Sequence, residues 1–212
     1  MNEDAPDHPA RERWNQRFAS AGAAPGQDAP SEWLVENEAL LRELRGHDNV
    51  RALDVAAGSG RNALYLAALG FEVDAVDISD VAIDQLRAAA GERGLAVHGQ
   101  VLNLENAALP DGPYDVVVSM NYLQRDLFGA LAAALKPGGL LLFETFAAVH
   151  IEQLGHGVNP DYVLQGNELL RAFAELHVRR YSEGVTERSG RPRGVASLVA
   201  AATCRGLNAI LE

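Results

Sequence analysis

A strand that runs into a glycine turn and then a helix, Leu53-Asp54-Val55-Ala56-Ala57-Gly58-Ser59-Gly60-Arg61-Asn62, constrains this chain more than any other feature of its 212 residues. Glycine takes positive φ readily and lets backbone approach a ligand closely. The helix that follows offers unpaired N–H groups and the positive end of its dipole. In an open α/β sheet, ligands sit beyond the carboxyl ends of the strands, where strand order reverses. Asp77 closes the next strand, Glu72–Asp77, nineteen residues after Gly58. A carboxylate there accepts both hydroxyls of a ribose. Gly58, Gly60 and Asp77 also fit a plain tight turn and a helix cap, but strand, helix and acid in register favour nucleotide binding.

The rest of the chain repeats the alternation. Strands are expected at Arg51–Val55, Glu72–Asp77, Ala96–Leu102, Tyr114–Ser119 and Leu140–Glu144. Helices are expected at Gly60–Leu69, at Val81–Arg93 with Ser79 as cap, and at Leu127–Leu135. Pro137-Gly138-Gly139 reads as a turn, and a helix beginning at Ser31 carries Trp33, Leu34, Leu40, Leu41 and Leu44 and closes at Gly46. Alternation of this kind predicts a doubly wound, mostly parallel α/β sheet with helices on both faces. After residue 150 a helix at Asn167–Leu176 precedes two strands, Val178–Glu183 and Val195–Arg205, joined by the polar Gly184–Gly194 as an antiparallel hairpin. Residues 1–30 read as an arm ending in a linker at Pro25–Pro30, and residues 31–212 as the domain.

Composition narrows the partners. The net charge is -11, which repels phosphate backbones and acidic membranes, so neither nucleic acid nor a membrane is expected as a partner. Arg188, Arg191 and Arg193 form the one basic cluster and read as a solvated loop. Cys204 is the only cysteine and is expected in the last strand as a small apolar side chain; it excludes an internal disulfide and fits a cytoplasmic setting. No apolar run approaches the roughly 20 residues of a membrane span. No spacing resembles a metal site, so none is expected.

Gly58-Ser59-Gly60-Arg61-Asn62-Ala63 also satisfies the G-x-G-x-x-A dinucleotide fingerprint, which leaves a nicotinamide cofactor open at this point. Asp54 inside the first strand, with Pro113-Tyr114-Asp115-Val116-Val117 and Leu135-Lys136-Pro137-Gly138-Gly139-Leu140 further on, shifts the balance. Leu53–Gly60, Asp77, Tyr114–Val117 and Leu135–Leu140 resemble the successive signatures of class I S-adenosylmethionine-dependent methyltransferases, over about residues 31–205. Arg61 to Ala67 resembles the small tellurite-resistance-type subgroup. The resemblance implies a Rossmann-like methyltransferase fold of seven strands with the last antiparallel, S-adenosyl-L-methionine as cofactor, and a small-molecule substrate. It implies that Asp54, Gly58 and Gly60 shape the methionine pocket, with Arg61 near the methionine carboxylate. Asp77 would hold the ribose, Ile78, Asn103 and Leu104 the adenine, and Met120 would lie under the cofactor. Two positions depart from the pattern. Ala56 stands where glycine is usual, which is expected to relax the closest backbone approach, and Asn103 stands where aspartate is common.

On the acceptor side the candidates are Asn121, Tyr122, Arg125, Glu144, His150 and His156, the two histidines being read as members of a surface loop. Arg125, Arg61 and the Arg188–Arg193 loop are the sources of positive potential for an anionic acceptor. Trp14, Phe18 and Trp33 are expected either to form a lid over the cofactor or to pack an N-terminal helix on the sheet. A small thiol or chalcogen oxyanion is the expected acceptor. The alternatives are an NAD(P)-dependent oxidoreductase, against which the chain lacks a Tyr-x-x-x-Lys proton donor, and a non-catalytic cofactor-binding module.

Overall fold

The computed structural model describes residues 8–20, 29–44, 49–155 and 157–203. Seven strands form one sheet in the order β3-β2-β1-β4-β5-β7-β6: β1 Arg51–Val55, β2 Glu72–Asp77, β3 Val97–Val101, β4 Tyr114–Met120, β5 Leu135–Phe146, β6 His177–Arg188 and β7 Arg191–Ala201. The pairings β1–β2, β1–β4, β2–β3 and β4–β5 are parallel, and β7 runs antiparallel to both β5 and β6. The sheet is therefore mostly parallel, with a C-terminal antiparallel hairpin.

Alternate residues of each strand serve opposite faces. Ala52, Val73, Val116, Val118, Leu140 and Leu142 pack with Trp33, Leu66, Phe71, Ile83 and Leu86 on one side. Leu53, Val117, Leu141 and Phe143 pack with Leu131, Leu164 and Phe173 on the other. The covering helices are α1 Pro9–Ser20, α2 Glu32–Glu36, α3 Glu38–Leu44, α4 Arg61–Ala68, α5 Asp80–Arg93, α6 Phe128–Ala133, α7 Ala148–Leu154 and α8 Glu168–Ala172. Ser79 caps α5 by accepting the Ala82 N–H at 3.1 Å, and Gly70 ends the α4 region at φ 96°.

The structure departs from the sequence reading in several places. The helix from Ser31 breaks at Asn37, whose side chain donates to the Trp33 carbonyl and accepts from Arg180; its expected end at Gly46 lies outside the described residues. The helix expected at Leu127–Leu135 is a 3-10 turn, Arg125–Leu127, followed by the short α6. β5 begins at Leu135, so Gly138 and Gly139 lie inside a strand with a register shift opposite Tyr114 and Val116. A Cβ at Gly139 would meet the Tyr114 carbonyl at 2.9 Å, which explains the glycine. Of the hairpin strands, β6 is twice its expected length and β7 begins four residues earlier than expected, so that they meet in a two-residue turn, Ser189-Gly190, with φ 54° and 69°, the twist that suits adjoining strands. His150 lies on a helix, α7, and is buried instead of sitting in a surface loop. His156 and Cys204 fall outside the described residues, β7 ending at Ala201.

Candidate functional site

Strand order reverses between β1 and β4, so the crevice that can receive a ligand opens above Val55 and its partner Ser119. Three of the five residues from Ala56 to Gly60 have positive φ: Ala56 at 57°, Gly58 at 56° and Gly60 at 90°. Gly60 is the N-cap of α4 and brings no side chain to it. Ala56 makes the left-handed turn despite its Cβ, a conformation that costs an L-residue roughly 1–2 kcal/mol. Alanine at this position therefore keeps the turn left-handed.

Asp77 is buried and braces this turn directly. One carboxylate oxygen accepts the Gly58 N–H at 2.8 Å and the other the Ser79 N–H at 2.9 Å. Burial pushes its pKa up, opposed by those N–H groups and that of Ile78. Asp54 lies one strand over, fully enclosed. Burial raises it to about 7, opposed by the Arg61 charge and the Ala63 N–H. Its Oδ2 has no hydrogen-bond partner. Asn103 uses its Oδ1 to accept the Glu105 N–H, while its Nδ2 is buried and unpaired. Leu104 and Met120 are buried, and Ile78 is half-buried. Asp54, Ala56, Gly58, Gly60, Arg61, Asp77, Ile78, Asn103, Leu104 and Met120 thus gather at the carboxyl ends of four adjacent strands, β3-β2-β1-β4.

The acceptor-side candidates resolve differently. Asn121 follows β4 in the left-handed conformation, φ 57°, with its N–H on the Glu144 carbonyl and its side chain exposed. The Tyr122 hydroxyl donates to Gln124, which in turn donates to the Leu104 carbonyl. Burial, Glu105 and Asp77 push that phenol up to about 12. Arg125 binds both oxygens of Glu168 and the carbonyls of Asp161 and Val163. It fastens the segment after α7 and is not an open source of positive potential. Glu144 is buried and accepts from Arg188 and from the Ser197 hydroxyl at 2.6 Å. His150 Nδ1 accepts the Gly194 N–H at 3.0 Å.

Arg188 corrects the reading of a solvated basic loop. It is 9% exposed and holds Glu144, Glu36 and the Glu187 carbonyl. Its carboxylate partners lie 44 and 152 positions away, so no local pattern announces them. Among the described residues no group of His, Cys, Asp or Glu is placed to hold a metal, and no helix is long and apolar enough to cross a membrane.

The helix α1 lies across the same rim. Arg11 donates to the Ile78 carbonyl, Asn15 donates to Asp80 and accepts from Ser79, and Gln85 donates to the Phe18 carbonyl. The Phe18 ring comes 3.0 Å from where a Gly58 Cβ would stand. Trp33, by contrast, is a core residue, 2% exposed, with its indole N–H on the Leu198 carbonyl and Arg180 over its ring.

With this geometry in place, known proteins give a consistent match. Residues 52–139 match a family described as a methyltransferase domain. Over those residues the chain is similar to methyltransferase domains. The ubiquinone biosynthesis O-methyltransferase of Burkholderia orbicola is 31% identical over 121 residues, which cover 54% of this chain and 52% of that protein. The chain thus spans about half the length of the curated relatives it matches. TehB from Haemophilus influenzae superposes with a TM-score of 0.68 at 17% identity, over 91% of this chain and 67% of that one. Magnesium protoporphyrin IX methyltransferase (ChlM) from Synechocystis PCC 6803, solved with bound SAH, superposes with a TM-score of 0.64 at 16% identity, over 92% of this chain and 98% of that one. At these identities the two structures define the fold.

Proposed function

We propose that this domain binds S-adenosylmethionine at the β1–β4 crevice and transfers its methyl group to a small acceptor that arrives already ionised. The fit of the cofactor rests on three buried groups with unused capacity. Asp77 has lone pairs left for two ribose hydroxyls after receiving two N–H bonds. Asn103 Nδ2 needs an acceptor, which an adenine ring nitrogen supplies. Asp54 Oδ2 needs a donor, which the ammonium of the methionine part supplies. Ile78 and Leu104 then flank the adenine, and Met120 lies beneath. Bound there, the cofactor supplies an activated methyl group on a sulfonium, so that the acceptor's lone pair forms the new bond to carbon as the sulfur keeps the old bonding pair.

The observation that carries the acceptor class is the occupancy of the acceptor-side groups. Among the described residues, Glu144 is held by Arg188 and Ser197, Tyr122 is a hydrogen-bonded phenol, and Arg125 is held by Glu168. His150 receives an N–H on Nδ1, which places the proton of the neutral ring on Nε2 and removes it as a base. With these groups occupied, alignment and exclusion of water are what the described residues contribute, and a soft anion such as a thiolate or chalcogen anion needs little more. An acidic phenol meets the same condition, and the Burkholderia relative is named an O-methyltransferase. The test is methyl transfer to thiols of graded pKa as pH is varied. The inflection in kcat/KM should follow each acceptor's own pKa. One inflection shared by all acceptors would mark a protein base and contradict the reading. Label appearing mainly in RNA or protein from a mixed offering would contradict the small acceptor.

We also infer that residues 1–30 act as an arm whose helix α1 covers the cofactor, with Phe18 over Gly58. The domain core starts near Ser31, so deletion of residues 1–30 should leave a folded protein whose turnover falls more than its unfolding midpoint. Equal turnover in the shortened protein would leave α1 as packing alone.

A further inference from the structure

Most of the buried or half-buried arginines are tied to oxygen acceptors: Arg11 to Ile78, Arg51 to Asp74, Arg188 to Glu144. Arg61 and Arg193 are different. Both are half-buried, and neither guanidinium donates a hydrogen bond or meets a carboxylate among the described residues. Arg61 stands beside the cofactor crevice, where its charge acts on Asp54. Arg193 stands on the acceptor side and has no such explanation, in a chain with 29 acidic residues to choose from.

Its position is built. The guanidinium lies over the Phe146 ring, 5.6 Å from the centroid, and the same ring packs against His150 at 4.8 Å. The next residue, Gly194, is clamped to α7 through His150 Nδ1, and a Cβ there would fall 2.3 Å from the His150 nitrogen. The backbone that carries Arg193 is therefore fixed, and the ring props up its cation. The acids beside the hairpin turn are occupied: Glu36 by Arg188, Glu32 by the Ser189 N–H.

The register sets its direction. Met120 pairs with Glu144, Glu144 with Ser197, and Phe146 with Val195. Paired and alternate residues share a face, so Met120, Glu144, Phe146, Val195 and Arg193 line one face across β4, β5 and β7. Two interstrand spacings and four residues along β7, from Ser197 to Arg193, separate Met120 at the methyl-transfer crevice from Arg193, roughly 16 Å.

We propose that Arg193, propped on Phe146, binds an anionic group of an elongated acceptor, with the nucleophile roughly 16 Å away at the crevice. This rests on the methyl-transfer reading. A carboxylate is the simplest such group, and a guanidinium meets it with two parallel N–H bonds.

The experiment uses the full chain saturated with S-adenosylhomocysteine. A series of ω-mercaptoalkanoates of increasing length is titrated calorimetrically beside the matching methyl esters. The acids should bind at least about tenfold more tightly than the esters, with an optimum at intermediate length. Arg193→Gln should bring the acids down to the level of the esters, Arg193→Lys should recover part of the preference, and both should keep the wild-type affinity for S-adenosylhomocysteine. Equal binding of acids and esters, no binding of either, or a preference that persists in Arg193→Gln would overturn the proposal. Failure of S-adenosylhomocysteine itself to bind shows before any acceptor is added, and overturns the methyl-transfer reading as well.

Discussion

Gly60→Ala is expected to lose about 3 kcal/mol or more of stability and most of its affinity for S-adenosylhomocysteine. Two effects add. The new Cβ would fall 2.0 Å from Leu86 Cδ1 and 3.0 Å from its Cγ. Leu86 is fully buried against the sheet and has nowhere to swing, so the overpacking costs roughly 1–3 kcal/mol. The backbone at φ 90° adds roughly 1–2 kcal/mol of strain for any residue with a Cβ. Gly91→Ala is the control. Gly91 lies inside α5 with nothing within 4 Å of a new Cβ, so that variant should gain stability, by up to about 1 kcal/mol. Urea unfolding of the two proteins checks both signs, and a wild-type midpoint in Gly60→Ala would mean that the glycine turn is not held as described.

Asp54→Asn should raise the stability of the ligand-free protein at pH 8 while weakening cofactor binding. Asp54 is fully enclosed, and burial lifts it from the usual carboxylate range to about 7. Below pH 3.8 the folded and unfolded chains both hold this proton. Between there and pH 7 the unfolded chain has released it and the folded chain retains it, so stability falls as pH rises, by about 1.4 kcal/mol per unit. Above pH 7 both are ionised and the loss stays constant. The wild type should therefore lose about 3 kcal/mol between pH 5 and pH 8 that Asp54→Asn does not lose. The same carboxylate is the proposed counter-ion of the cofactor ammonium, so the stabilised variant should bind S-adenosylhomocysteine less well. Unfolding midpoints at the two pH values decide the matter, and a gap between wild type and variant that is the same at both would contradict it.

The centre of the fold was legible because its signals are local. The bounds of β1 and β2 coincide with those read from the sequence, since a buried parallel strand is a short apolar run closed by a glycine turn or a helix cap. Ser79 was readable as a cap for the same reason. What was missed depends on distant partners. β6 is an edge strand with most of its side chains exposed, so the alternation that reveals a half-buried strand is absent and its true length was not visible. Gly138 and Gly139 look like a turn, and only the nearness of the Tyr114 carbonyl explains them as part of a strand. Arg188 reads as a solvated charge until Glu144 is placed beside it. His150 reads as part of a glycine-containing surface loop, yet it is buried on α7 against Phe146 and the Gly194 amide from another strand. The cofactor-side residues were legible because a nucleotide turn is written in consecutive residues, whereas an acceptor pocket is assembled from loops.

Calorimetric titration of the full chain with S-adenosylhomocysteine and, separately, with NAD tests the central claim most directly. The account predicts one S-adenosylhomocysteine bound per chain, no heat from NAD, and an affinity at least about tenfold weaker in a folded Asp77→Ala protein, where the acceptor for two hydroxyls is gone. Binding of NAD with no response to S-adenosylhomocysteine would contradict it.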